Sequence, residues 1–179
     1  MAQQLQSRFQ TQGLEMLLVT CFIFGLLGSL TWAAGPRGRS VCPSGTFASK
    51  VGSEWSCYKF YEEKVTFEDA EQECQYEWKG HLASFTNDKQ AAAIAAYLSK
   101  ENMDELYTWI GLRRDEGSSI STGWRWVDGS RSRYRKWSSG EPNNQQSEYC
   151  VGLQPTGYLT WVDIPCSYER PFLCKWKPA

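Results

Sequence analysis

Residues 140–166 read GEPNNQQSEYCVGLQPTGYLTWVDIPC, and the reading of this stretch decides the fold. Acids and side-chain amides crowd its first part around Pro142, and Cys150 and Cys166 bracket its second. Glu141, Asn143, Glu148 and Asp163 all carry hard oxygen donors, the kind that hold hard cations. Asp163 stands apart from the others, in TWVD, so only a fold that doubles back can bring it to them. Beside it, Val162 offers no side-chain donor. YCVGLQ and YLTWVDI, inside the same stretch, are short apolar runs that predict strands.

Outward from there, Gly129–Glu148 is long and polar for a connection, which marks it as a functional loop. Ahead of it, TGWRWVDGS alternates Trp124 and Trp126 with polar partners and turns at Asp128-Gly129, and LYTWIGL is a continuous apolar strand. Two segments predict helices. TFEDAEQECQYEW opens on Thr66, an N-cap with an acid three residues on, and repeats Phe67, Ala70 and Cys74 on one face. TNDKQAAAIAAYLSKEN is capped by Thr86 or Asn87, is rich in alanine, and directs Ile94 and Leu98 to the core. HLASF between them is a short buried strand or turn, CPSGTFASKVGSEWSCYKFYEEKV an opening hairpin, and PFLCKW a closing strand. Helices segregated from strands in this order give an α+β class.

The whole chain bounds this picture. Its 179 residues allow one domain and a short extra segment, and a formal net charge of -1 gives no global pull toward nucleic acid or membrane. Nine Trp and 15% aromatics suit short strands packed around large rings. Met16–Gly35 is apolar and ends in TWAAG, which predicts a secretory signal over residues 1–33, with Met16 an alternative start. A membrane anchor competes, because the apolar length is near the minimum that spans a bilayer; few basic residues flank it, which favours the signal. Residues 34–41 then form a linker and 42–179 the domain. Removing the leader removes Cys21 and leaves six of the seven cysteines, all able to pair in an oxidising compartment. Zinc is improbable, with no C-x-x-C pair and one isolated histidine.

CYKF, TFEDAEQEC, HLASF, WIGL, WRWVDG, GEPNN, EYC, WVD and PFLCKW together resemble the C-type lectin family, in the family's order, from Cys42 to Trp176. CPSG and FLCKW are similar to regenerating-islet (lithostathine-like) proteins, and the long-loop motif to snake-venom and other mannose-type lectins. The resemblance implies two helices, short antiparallel sheets, a long ligand-binding loop and three disulfides: Cys42–Cys57, Cys74–Cys174 and Cys150–Cys166. Each bridge would add roughly 2–4 kcal/mol, mostly by restricting the unfolded chain. It also implies calcium at Glu141, Asn143, Glu148 and Asp163, a cis peptide before Pro142, and two sugar hydroxyls completing the metal shell. Glu141 and Asn143, in Glu-Pro-Asn order, would pair with a mannose, glucose or fucose hydroxyl, and Glu148 would pair with an Asn where this chain has Val162. An auxiliary calcium site looks depleted, because Tyr149 stands where an acid is usual; Asp115, Glu116 and Asn144 remain near it.

GSRSRYRKW places Arg131, Arg133 and Arg135 at alternate positions. If extended, one face would carry three guanidinium groups suited to an anionic glycan, though a solvated loop edge is the plainer reading of the run. His81 reads as structural, and Trp109, Trp124, Trp126 and Trp161 read as core rings. No base stands beside a nucleophile and no Gly-rich phosphate loop is present, so the chain does not read as an enzyme. Two functions follow. One is a secreted, calcium-dependent carbohydrate-binding lectin with a weakened site. The other is a calcium-independent lectin-fold protein that binds protein, mineral or anionic glycan surfaces. Six cysteines paired internally leave none for an interchain disulfide.

Overall fold

The computed structural model describes residues 41–144 and 146–178. The expected signal segment, its cleavage region and Cys21 lie outside the described residues.

β1 (Phe47–Val51) and β2 (Glu54–Val65) form the opening hairpin, turning through Gly52 at φ 60, a left-handed conformation that favours glycine. α1 (Phe67–Trp78) starts where the Thr66 hydroxyl accepts from the Asp69 N–H at 3.3 Å, and Phe67, Ala70 and Cys74 are buried along its inner face. β3 (His81–Leu82) leads to α2 (Asp88–Glu101), whose cap is Asn87: its carboxamide oxygen accepts from the Gln90 N–H at 2.9 Å. Gln90 reaches back to accept from the Thr86 N–H, so Thr86 supports the cap from outside it. β4 (Thr108–Arg114), β5 (Trp124–Trp126), β6 (Cys150–Leu153), β7 (Trp161–Ile164) and β8 (Arg170–Trp176) complete the domain.

The strands join in one eight-stranded sheet of order β1-β2-β8-β4-β6-β7, with β3 on β8 and β5 on β4. The two helices, the short, mostly antiparallel strands and the three disulfides are those expected, and the strands share one sheet. The closing strand β8 inserts between β2 and β4, and it lies parallel to β4 at Trp109 and Phe172 while the other strand-to-strand pairings are antiparallel. Gly111, in WIGL, packs against β3 so closely that an added Cβ would lie 2.4 Å from the Leu82 carbonyl oxygen. That contact explains a glycine inside a strand.

One core cluster gathers Tyr58, Ile94, Leu98, Ile110 and Trp161; a second gathers Phe67, Leu82, Trp109 and Phe172. The expected tryptophans are core rings: Trp109 and Trp161 are fully buried, and Trp124 and Trp126 nearly so. The three disulfides pair Cys42 with Cys57, Cys74 with Cys174 and Cys150 with Cys166. The long loop after β5 contains no strand, yet it is tied to the sheet. Ser138 N–H donates to the Trp161 carbonyl at 2.8 Å, and Trp161 N–H donates to the Lys136 carbonyl at 2.9 Å. The turn expected at Asp128-Gly129 centres one residue earlier, where the Gly129 N–H closes on the Trp126 carbonyl, and it leads into this loop instead of a returning strand.

Candidate functional site

Asp163 sits on β7, opposite Val151 of β6, and is buried at 5% exposure. Its carboxylate accepts from the backbone N–H of Asn143 at 3.1 Å and of Asn144 at 3.2 Å. The sheet thereby carries the late acid to the early part of the loop. The Glu141–Pro142 bond is cis. Oε2 of Glu141 is buried without a hydrogen-bond partner. Burial, a hydrogen bond shared with Asp163, and the charges of Asp163 and Glu148 push the Glu141 carboxyl up to about 7, while the Asn143 amide opposes the rise. Glu148 is raised too, first by burial and then by the Asp163 charge.

Glu141, Asn143 and Asp163 are thus in mutual contact, and Glu148 lies within their field. The donors are oxygens of acids and amides, the set a calcium ion takes, and the unpartnered Glu141 oxygen is a free ligand atom. The bonds to Asn143 and Asn144 leave further lone pairs on Asp163. The cluster as it stands is looser than a finished cage: among the described residues, no group of three or more acidic, histidine or cysteine side chains could hold a metal ion. Val162 packs in the second core cluster at 9% exposure and adds no donor.

A cation built into the chain holds the same loop. Arg114, at the end of β4, is fully buried. Its guanidinium donates to the carbonyl of Ser118 at 2.9 Å and to those of Asn144 and Glu148 at 3.4 Å each. It lies 4.6 Å from the Tyr149 ring centre and 5.4 Å from that of Trp124. Sequence reasoning missed this residue. The available signal was the Arg113-Arg114 pair closing an apolar strand: strand alternation turns one of two neighbours inward. Arg113 reaches Glu68 at 2.9 Å, and Arg114 fills the interior. The neighbouring acid Asp115 is gripped by Arg125 through Nε at 2.9 Å and again through Nη2, which lowers its pKa. Asp115 is therefore committed to an arginine.

The three alternate arginines do not share one face, which corrects the expectation of a three-guanidinium strand. Arg135 turns inward and donates to the carbonyls of Ser132 (3.1 Å), Tyr134 (2.7 Å) and Trp124 (2.8 Å), over the ring of Trp126. Burial lowers its pKa. Serine turns bend the segment out of extension: the Ser132 N–H donates to the Ser130 hydroxyl, and the Tyr134 N–H to the Ser132 hydroxyl. Arg131 and Arg133 remain exposed.

A family model described as the lectin C-type domain matches residues 63–176, more than half of the chain. The chain belongs to the C-type lectin family. It is 37% identical to a C-type lectin of Cerberus rynchops over 83% of this chain and 95% of that one. The structure of human lithostathine matches with a TM-score of 0.68 at 34% identity, covering 76% of this chain and 99% of that one. A calcium-independent type II antifreeze protein matches with a TM-score of 0.60 at 25% identity, over 77% of this chain and 95% of that one.

In this C-type lectin domain the acidic cluster and the inner arginines meet at the long loop, which is also tied to the start of α2 where Tyr134 and Lys136 donate to Asp88. His81 has a structural part: its Nδ1 lies 2.5 Å from Glu71, whose other oxygen accepts from the Leu82 N–H at 2.8 Å. No helix among the described residues is long and apolar enough to cross a membrane.

Proposed function

We propose that this protein is a secreted lectin, not an enzyme, that binds mannose-, glucose- or fucose-type glycans through calcium at Glu141, Asn143, Glu148 and Asp163. The observation that carries the reading is the unpartnered, buried Glu141 oxygen beside Asp163 and Glu148, with the pKa values of Glu141 and Glu148 pushed up by burial and then by the Asp163 charge. Such a cluster lacks a positive charge. Calcium would supply that charge and coordinate sugar hydroxyls. Glu141 would accept a hydrogen bond from a sugar hydroxyl, the Asn143 amide would donate to a hydroxyl oxygen, and Asp163 holds the turn that presents both. Val162 leaves one amide fewer than the resemblance implies. A lost hydrogen bond to a charged group costs about 1.5–3 kcal/mol, hence roughly tenfold to a hundredfold in affinity.

A second reading, a calcium-independent binder on the same fold, is favoured by Arg114, a buried cation of the chain itself that ties the carbonyls of Asn144 and Glu148 to β4. Calorimetric titration of calcium, then of methyl mannoside at saturating calcium, separates the two. The wild type should bind both weakly, Val162→Asn should bind both about tenfold tighter, and Glu141→Ala should bind neither. If neither the wild type nor Val162→Asn takes up calcium, the calcium-independent reading stands. Loss of Cys21 with residues 1–33 leaves six paired cysteines, so mass spectrometry of secreted protein should find no free thiol and no interchain bridge.

A further inference from the structure

We propose that a groove lined by Arg125, Arg131, Arg133, Arg135, Trp124 and Trp137 binds a sulfated glycan segment, independently of calcium. The groove has a volume of about 580 Å³ and no acidic side chain lines it. That volume suits a few sugar rings. Hydroxyls of Ser121, Thr122, Ser130 and Ser132 line its remaining wall, which suits a hydroxyl-rich ligand. Trp137 is half-buried, tilted 59° against Trp124 at 4.9 Å, and offers an apolar ring to a sugar face.

The acids near the segment are already paired. Asp115 holds Arg125 and offsets its charge, Asp128 accepts from Ser84 and lies 3.8 Å from Lys175, and Asp88 accepts from Tyr134 and Lys136, which leaves Arg131 and Arg133 as the exposed guanidinium groups that carry the site. Arg131 and Arg133 project from a backbone that is fixed by its own turns, by Arg135 and by Asp88. Two free guanidinium groups on a fixed backbone, two residues apart, need little ordering to meet successive anionic groups along one chain. The protein's net charge of -1 makes this attraction local to the groove. Sulfate favours the site over carboxylate because it spreads its charge over three acceptor oxygens, which donors can approach from several sides.

The test is calorimetry with a sulfated heparin tetrasaccharide in EDTA, so that failure of the calcium reading cannot mask the result. Binding is expected with the metal chelated, is expected to fall with added salt, and should persist in Glu141→Gln. Arg131→Ala with Arg133→Ala should weaken it at least about tenfold, and the paired Arg→Lys substitutions, which keep charge but lose the planar fork, should weaken it less. Both arginines are exposed, and circular dichroism with thermal unfolding confirms that the variants fold. Desulfated and sialylated tetrasaccharides should bind far more weakly. The proposal is overturned if the double alanine variant binds as tightly as wild type, if binding needs calcium, or if a single-stranded oligonucleotide of matched charge competes equally.

Discussion

The acidic cluster and the arginine groove belong to one long loop and are built in opposite ways. In the groove the backbone is fixed by turns and by Arg135, and the outer side chains of Arg131 and Arg133 are left to act. In the acidic cluster the side chains are turned inward: Asp163 holds two backbone N–H groups, and Glu141 is crowded by Asp163 and Glu148. The first region exposes guanidinium groups; the second gathers carboxylates around a buried, unpartnered oxygen. Arg114 is what allows both on one loop, because it anchors the acidic part without neutralising its carboxylates.

The largest effect that could break this comparison is expected at Arg114. Replacing it with Ala leaves the carbonyls of Ser118, Asn144 and Glu148 without this donor inside the domain, and unfolding in urea should show a loss of about 3 kcal/mol. Arg114→Lys should recover only part, since one ammonium cannot reproduce the planar fork between two rings. Unchanged stability in Arg114→Ala would mean that the loop is held by other contacts.

Arg135 and Arg133 sharpen the contrast within the groove. Arg135→Ala removes donors to three carbonyls and should cost about 1–2 kcal/mol, whereas Arg133→Ala should stay within about 0.5 kcal/mol. Equal costs would erase the distinction between the inner arginine and the outer one.

The smallest effect concerns pH. In calcium-free protein the folded Glu141 carboxyl is raised to about 7 from an ordinary value near 4.5, so the folded state holds its proton more tightly than the unfolded state. The stabilisation is complete below the unfolded value and is lost as pH rises through about 7. Glu141 is partly open to solvent, which screens the effect to about 1 kcal/mol or less. Urea midpoints in EDTA at pH 4.5 and 8 should therefore differ more for wild type than for Glu141→Gln. Parallel pH profiles would show that neither burial nor the neighbouring carboxylates raise Glu141 in the folded state.

Local physics made much of this chain readable. Thr66 and Asn87 are N-caps because their side chains accept from an N–H three residues on, a relation contained in a few consecutive residues. Periodicity marked Phe67, Ala70, Cys74, Ile94 and Leu98 as buried, and alternation marked Trp124 and Trp126. The cysteine pairing came with the resemblance to C-type lectins, not from spacing, since six cysteines admit many connectivities. The oxygen donors around Pro142 were legible as a group because their chemistry is uniform.

Direction and partnership were not legible. Arg131, Arg133 and Arg135 look equivalent as letters, and only the bend of the backbone over Trp126 turned one of them inward. Arg114 and Arg113 are adjacent and identical, and only the packing of β4 buried the first against Tyr149 and left the second to Glu68. Asp163 became the support of the Asn143 turn because the β6–β7 pairing carried it across the loop. What the sequence by itself determined was each segment's periodicity, its caps and the charge it could bring. What the tertiary structure decided was which charges met and which faced solvent. The physical reason is that a buried hydrogen bond or ion pair depends on distances between residues far apart in the chain, and no local preference encodes them.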